Sequence, residues 1–239
     1  MPLDLLAIAA HPDDVELSCG GTLIKMKKRG YRIGILDLTR GEAGTRGSAA
    51  IRLREAQAAA RVLGVDYRGN LGLPDARLDV NETNKRAVAE KIRELEPHAV
   101  ILPYWEGRHP DHYNAARLAY EGCFLAGLKR LRGLRGQPFR PSKVLYATLY
   151  DANVRPTFVV DISAEYEQRR QAILCYASQF RPKTRTQTRV PLPLDQLETR
   201  MELLARYFGQ MIGVPYGEPF LVKEMIQVDD VVRMSVRSF

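Results

Sequence analysis

Residues Leu3–Asp14 read "LDLLAIAAHPDD", an apolar run that breaks abruptly into a histidine, a proline and paired aspartates. A short apolar run ended in this way is the pattern of a strand buried on both faces, as in a parallel sheet. Two more such runs follow, "YRIGILDL" over Tyr31–Leu38 and "HAVILPYW" over His98–Trp105. Between them lie helix-period segments: Val15–Arg29 stopped at Gly30, Ile51–Leu63 stopped at Gly64, and Asn84–Leu95 closed by Pro97. Strands alternating with helices of this length predict βαβ units with right-handed crossovers. The fold class is therefore α/β, a Rossmann-like sandwich with a mostly parallel sheet and helices on both faces.

The second half is less regular. It predicts a helix over His112–Arg132, a basic loop "GLRGQPFRPSK", strands over Val144–Tyr150 and Thr157–Ile162, and helices over Glu165–Phe180 and Leu194–Met211. The loop "RPKTRTQTRVPLP" between the last two reads as a mobile or interface segment rather than a domain linker. The 239 residues are read as one domain, 1–239.

Composition narrows the function. No stretch reaches the roughly eighteen uninterrupted apolar residues of a membrane helix. The first residues also lack a signal-peptide pattern, so a soluble cytoplasmic protein is expected. Cys19, Cys123 and Cys175 are far apart, odd in number and without a Cys-x-x-Cys pair, which argues against a disulfide framework or a cysteine zinc cluster. The net charge of +8 suits nucleic acid, an anionic membrane or an acidic small substrate, but equally a solvated basic surface.

Three of the four histidines lie in two related motifs, "HPDD" (His11–Asp14) and "HPDH" (His109–His112), each after a predicted buried strand. In an open parallel sheet the strand ends form the ligand crevice, so motifs distant in sequence can converge there. Pro12 and Pro110 suit the first position of a helix, and aspartates in a first turn are favoured by the helix dipole, so a capping role alone is one reading. The combination favours a site. His11, Asp14 and His112 supply two imidazoles and a carboxylate with an open fourth position, the ligand set of a catalytic zinc site, and one that other divalent metals such as Fe2+ also accept. Asp13 is a carboxylate free to take a proton from an attacking water. His109 is placed to protonate a leaving group or steady an oxyanion, with Asp111 orienting it.

Other signals are weaker. The glycines of "SCGGT" (Ser18–Thr22) lack dinucleotide-binding spacing and suit close helix-to-sheet packing. "TRGEAGTRGSAAIR" (Thr39–Arg52) follows the second strand, and Arg40, Arg46 and above all Arg52 are candidates to grip an anionic or hydroxylated substrate. Tyr104 and Trp105 fit either core or pocket lining.

These motifs resemble a known family. "AHPDD" followed by "HPDH" is similar to the PIG-L/LmbE-like zinc-dependent N-acetylglucosamine deacetylases, and "GEAGTRGSAAIRLREAQAAARVLGV", "LGLPD", "ILPYWEGRHPDH", "ASQF" and "GVPYGEPF" resemble that family in order over nearly the whole chain. The segments look most like the branch that removes acetate from N-acetylglucosaminyl malate in bacillithiol biosynthesis. The resemblance implies zinc on His11, Asp14 and His112, Asp13 as general base, His109 as general acid oriented by Asp111, and Arg52 at the substrate. It also implies a small acetylated sugar as substrate, no nucleic-acid or membrane partner, and a homo-oligomer, commonly a hexamer. Where relatives carry an oxyanion-binding tyrosine ahead of the C-terminal helix, this chain offers Gln196 or Leu197.

Two other readings compete. One keeps the site and changes the substrate, to another acetylated sugar or an amide conjugate of a thiol. The other is a basic nucleic-acid-binding module with a structural metal. A structural zinc is normally closed by a fourth protein ligand, usually including cysteine, and no candidate lies near the motifs.

Overall fold

The computed structural model describes residues 2–149, 153–180 and 194–236. Five parallel strands, β1 (Leu5–Ala9), β2 (Ile33–Thr39), β3 (Tyr67–Leu73), β4 (Ala99–Pro103) and β5 (Lys143–Ala147), are continued by β7 (Gly217–Leu221), antiparallel to both β5 and β6 (Phe158–Asp161). The sheet order is β3-β2-β1-β4-β5-β7-β6. Helices α1 (Asp14–Lys28), α2 (Ala49–Leu63), α3 (Glu82–Leu95), α4 (Pro110–Ala126), α5 (Tyr166–Leu174), α6 (Ala177–Phe180) and α7 (Leu194–Gln210) complete the chain. The mostly parallel α/β sandwich expected from the sequence is the fold observed.

The alternation of β1 builds both cores. Leu5, Ala7 and Ala9 pack with Val15, Leu23, Ala59 and Ile173 on the α1, α2 and α5 side, whereas Leu6 and Ile8 pack with Val88, Ile92, Leu118 and Ala119 of α3 and α4. The chain order reverses between β1 and β4, and both strands deliver their following loops to that switch point. This is where an open α/β sheet binds ligands. Among the described residues, no helix is long and apolar enough to cross a membrane.

Helix α1 is broken at Cys19, whose φ of −144° and ψ of 17° are not helical. The break is plugged by two buried charges. Glu218 of β7 accepts the freed N–H groups of Gly21 (2.9 Å) and Thr22 (2.7 Å), as a capping carboxylate does at a helix N-terminus. Arg169 of α5 donates to the carbonyls of Glu16 (3.1 Å) and Leu17 (2.5 Å) on the other side of the break and pairs with Glu218 at 3.1 Å. A Cβ on Gly21 would stand 2.9 Å from Ile162 and 3.0 Å from Glu218, so the close packing expected of "SCGGT" is present there.

Several elements depart from expectation. Strands β3 and β7 were not anticipated: "YRGNLGL" carries Gly69, Asn70 and Gly72, and "GEPFL" carries Gly217 and Pro219, all poor strand formers. Pro219 is tolerated because Phe220 turns its carbonyl to Thr157 beside β6, so Pro219 faces the β5 side, where the ladder ends at Phe220. The single helix expected over 165–180 is two, α5 and α6; the break lets Ser178 donate twice to Glu55 of α2, at 2.7 Å each. Helix α4 stops at Ala126 rather than continuing to Arg132. The Arg- and Pro-rich stretch 181–193 lies outside the described residues.

Candidate metal centre

The two His-Pro-Asp motifs meet at the switch point. Asp14 begins α1 and His112 lies in the first turn of α4. Asp14 Oδ1 is 3.3 Å from His112 Nε2, and Asp14 Oδ2 is 3.2 Å from His11 Nδ1. The ligand atoms of His11, Asp14 and His112 all lie within 4.8 Å of one another. Asp14 Oδ2 also accepts the backbone N–H of His11 at 2.9 Å, which closes the turn on itself.

The surroundings of His11 test whether a cation fits. Its Nε2 faces Asp75 Oδ1 at 3.0 Å and Asp111 Oδ2 at 3.3 Å, and these carboxylates can only accept, so the ring proton belongs on Nε2. That turns the Nδ1 lone pair toward Asp14. Two lone pairs 3.2 Å apart require a cation or a proton between them, and a divalent metal held by two imidazoles and a carboxylate satisfies the trio. The electrostatics of the metal-free chain agree. Burial opposes a charge on His11, yet the charge of Asp14 and the hydrogen bonds that the ring donates to Asp111, Asp14 and Asp75 hold its pKa well above the usual value. Burial also opposes ionisation of Asp14, but His112 and His11 keep it well below the usual carboxylate range. Asp75 is held at about 2: burial raises it, while His11 and the N–H groups of Ala43 and Ala76 lower it by more.

Sequence reasoning missed Asp75. It lies in "LGLPD", a segment that carries family resemblance but no chemistry of its own in the sequence. One of its carboxylate oxygens contacts His11 while the other accepts the N–H of Ala43 at 2.8 Å. It thereby ties the Gly-rich loop to a ligand. Alanine at Asp75 is expected to weaken metal affinity by about 10- to 100-fold, read by competition with a chromogenic chelator.

Asp111 was expected to orient His109 and does so only through its backbone, which donates to His109 Nδ1 at 3.2 Å. Its carboxylate goes to His11 and to the N–H groups of Ala76 (2.8 Å) and Leu78 (3.3 Å), because Asp111 points inward from the first turn of α4. With Nδ1 an acceptor, the proton of neutral His109 sits on Nε2. Its ring stacks on His112 at 4.6 Å and meets His11 edge-on at 5.1 Å. Burial and the imidazoles of His112 and His11 lower its pKa, so the charged ring gives up its proton readily.

Arg52 was expected at the substrate. Instead it is 5% exposed and turned to protein: Nη2 donates to the Pro12 carbonyl at 2.5 Å and lies 3.2 Å from Asp13 Oδ2, and Nη1 donates to the Gly41 carbonyl at 3.3 Å. Gly41 (φ 66°) is required by this packing, since a Cβ there would collide with the guanidinium. Of the loop arginines, Arg46 also turns to protein and donates to the Gln179 carbonyl at 3.1 Å, whereas Arg40 is exposed. Leu197 is core, which removes it as an oxyanion donor, and Gln196 is exposed.

Asp13 is buried at a φ of 112°, a region costly for any residue but glycine and one that recurs at functional sites. Burial, with Asp14 and Glu16 adding to it, drives its pKa up against Arg52 and His11, to about 7. Arg52 is therefore a brake on that shift. Arg52→Gln is expected to move the acidic limb of the kcat/KM profile to higher pH by about one pH unit, which a pH-rate series checks.

Fold and site together place a trio able to hold a metal at the switch point of a mostly parallel α/β sheet. The model of PIG-L (GlcNAc-PI de-N-acetylase) matches residues 6–123. The diacetylchitobiose deacetylase of Thermococcus kodakarensis is 30% identical over 90% of this chain and 80% of its own. A Bacillus anthracis protein named "Probable N-acetyl-alpha-D-glucosaminyl L-malate deacetylase 2" is 27% identical over 75% of this chain and 82% of its own. The crystal structure of a conserved protein from Thermus thermophilus superposes with a TM-score of 0.85, at 41% identity, covering 95% of this chain and 98% of that one. The chain belongs to the PIG-L family and is a deacetylase, a hydrolase acting on an amide bond.

Proposed function

We propose that this chain removes the acetyl group from the nitrogen of a small N-acetylglucosaminide, with N-acetylglucosaminyl malate as substrate and zinc as the metal on His11, Asp14 and His112. The observation that carries the reading is a ligand trio beside a buried carboxylate whose pKa of about 7 matches a general base. A cavity of about 30 Å³ lies beside Asp14 and His112, walled by Val15, Ile101 and Ala147.

When bound, the metal polarises the acetyl carbonyl and acidifies water. The chain's own residues do the rest. Asp14 and the two histidines fix three directions of approach, with Asp75 and Asp111 holding the His11 ring. Asp13, ionised, takes the proton from the attacking water, and Arg52 holds its carboxylate in place. His109, in its charged form, gives the Nε2 proton to the departing sugar amine and is left as the neutral ring.

Diacetylchitobiose is the second reading, favoured by the Thermococcus relative. Purified protein, its metal content measured, is offered N-acetylglucosaminyl malate, diacetylchitobiose and an inositol-linked N-acetylglucosamine, with fluorescamine detection of the free amine. Fastest release from the malate conjugate is expected. Faster release from chitobiose overturns the malate assignment, and no release from any of the three by metal-loaded protein overturns the N-acetylglucosaminide class.

The proposal includes a cytoplasmic homo-oligomer of hexameric size. Its support is the C-terminal arm after β7, where Met225 is 97% and Val232 90% exposed with Val231, Met234 and Val236 also outside, apolar side chains that a partner subunit would cover. Light scattering giving a monomer mass at micromolar concentration would overturn it.

A further inference from the structure

The loop from Tyr104 to His109 delivers His109 and, one turn into α4, His112. Residues 105–108 make no backbone hydrogen bond to any described residue. The Trp105 ring anchors the loop, beside the bond that the Tyr104 hydroxyl donates to Glu106 Oε2 at 3.3 Å. Trp105 stands edge-on to Tyr146 at 4.7 Å and tilts against Tyr104 at 4.8 Å. Over this cluster lies the ammonium of Lys223, 4.9 Å from the Trp105 ring centre, 5.0 Å from Tyr120 and 5.2 Å from Tyr146. All three are within the roughly 6 Å at which a cation is attracted to an aromatic face.

The topology puts Lys223 there. Leu221 of β7 pairs with Tyr146 of β5, and Lys223 lies two residues past the end of β7, so the chain leaving the strand passes over these rings. Among the described residues no carboxylate lies within 4.0 Å of the ammonium, and the buried Tyr146 hydroxyl has no partner. The contact is therefore of cation with ring faces, not an ion pair or a hydroxyl hydrogen bond.

We propose that Lys223 is a positioning residue for the deacetylation: exposed, and seated over the rings of Trp105, Tyr120 and Tyr146, it pins the loop that presents His109. It acts through Trp105 and touches no reacting atom. The kinetic part rests on the deacetylase reading; the structural part does not.

Trp105 is the chain's single tryptophan, so its fluorescence reports the latch directly. Lys223→Met keeps the apolar stem and removes the charge, and Lys223→Arg keeps the charge. In the full chain, the methionine variant is expected to lose about fivefold in kcat with KM and metal content unchanged, and to show Trp105 more open to acrylamide quenching. The arginine variant is expected to restore both. Wild-type kcat in Lys223→Met, unchanged quenching, or failure of arginine to rescue would overturn the proposal. Should Lys223→Met not fold, Tyr120→Leu removes a half-exposed ring beneath the ammonium and is expected to raise quenching in the same way; unchanged quenching there is equally fatal. A wild-type chain inactive on every acetylated sugar would sink the substrate reading while the quenching comparison still decides the latch.

Discussion

Alanine at Asp13 is expected to lower kcat by about a hundred- to ten-thousand-fold while the bound metal stays. The expectation follows from what the side chain does and does not touch. Asp13 is not among the trio whose ligand atoms cluster, and its one charged partner is Arg52 at 3.2 Å, so its loss leaves His11, Asp14 and His112 with their own supports. A carboxylate buried beside Asp14 and Glu16 resists ionisation, and one poised at about 7 is a far stronger base than a solvated one. The sign is definite. The base works when ionised, so activity rises as pH passes through that value. Asparagine, which tolerates positive φ as aspartate does, is expected to show the same loss, which separates loss of the base from collapse of the loop. Two measurements decide the matter, kcat and metal per chain. Unchanged kcat would remove Asp13 from the proton transfer, and a joint fall of kcat and metal content would make it a support of the ligands instead.

The parts of this site legible in the sequence were those carried by local chemistry. Three apolar runs ending in motif or turn marked β1, β2 and β4, and His-Pro-Asp after two of them pointed to one crevice, because adjacency across a switch point follows from βαβ geometry. What was hidden depends on long-range partners. Asp75 is an ordinary loop aspartate until the fold brings it to His11 Nε2, and Arg52 looks like a free cation until Gly41 lets it turn inward to Asp13. Asp111 illustrates the same limit, since two residues along the chain from His109 its backbone is near but its carboxylate points into the core. Strands β3 and β7 were invisible for a related reason. Their glycines and proline carry no strand preference, and it is pairing with β2, β5 and β6 that makes them extended.

Leucine at Glu218 is expected to cost about 3–5 kcal/mol of folding stability, the penalty for removing one partner of a buried ion pair. Glu218 is 0% exposed, and its carboxylate answers four groups at once: the backbone N–H of Gly21, the backbone N–H and hydroxyl of Thr22, and the Arg169 guanidinium. Leucine fills the volume but leaves a buried cation and two helix N–H groups without an acceptor, while Arg169 keeps its bonds to Glu16 and Leu17. In thermal melts this is a fall of roughly 10 °C or more. Glutamine retains one acceptor oxygen and no charge, so it should fall between. The effect reaches the metal as well, because the break at Cys19 sets the direction of the first turn of α1, and that turn carries Asp14. With the plug gone, the two halves of α1 are free to straighten and Asp14 shifts relative to His112 on α4, so metal affinity is expected to fall together with stability. Urea denaturation of Glu218→Leu, read with and without metal, separates the two effects. A variant as stable as the parent would show that the kink is held by packing against Ile162 alone, and a destabilised variant with undiminished metal affinity would show that Asp14 is held by its own turn with His11.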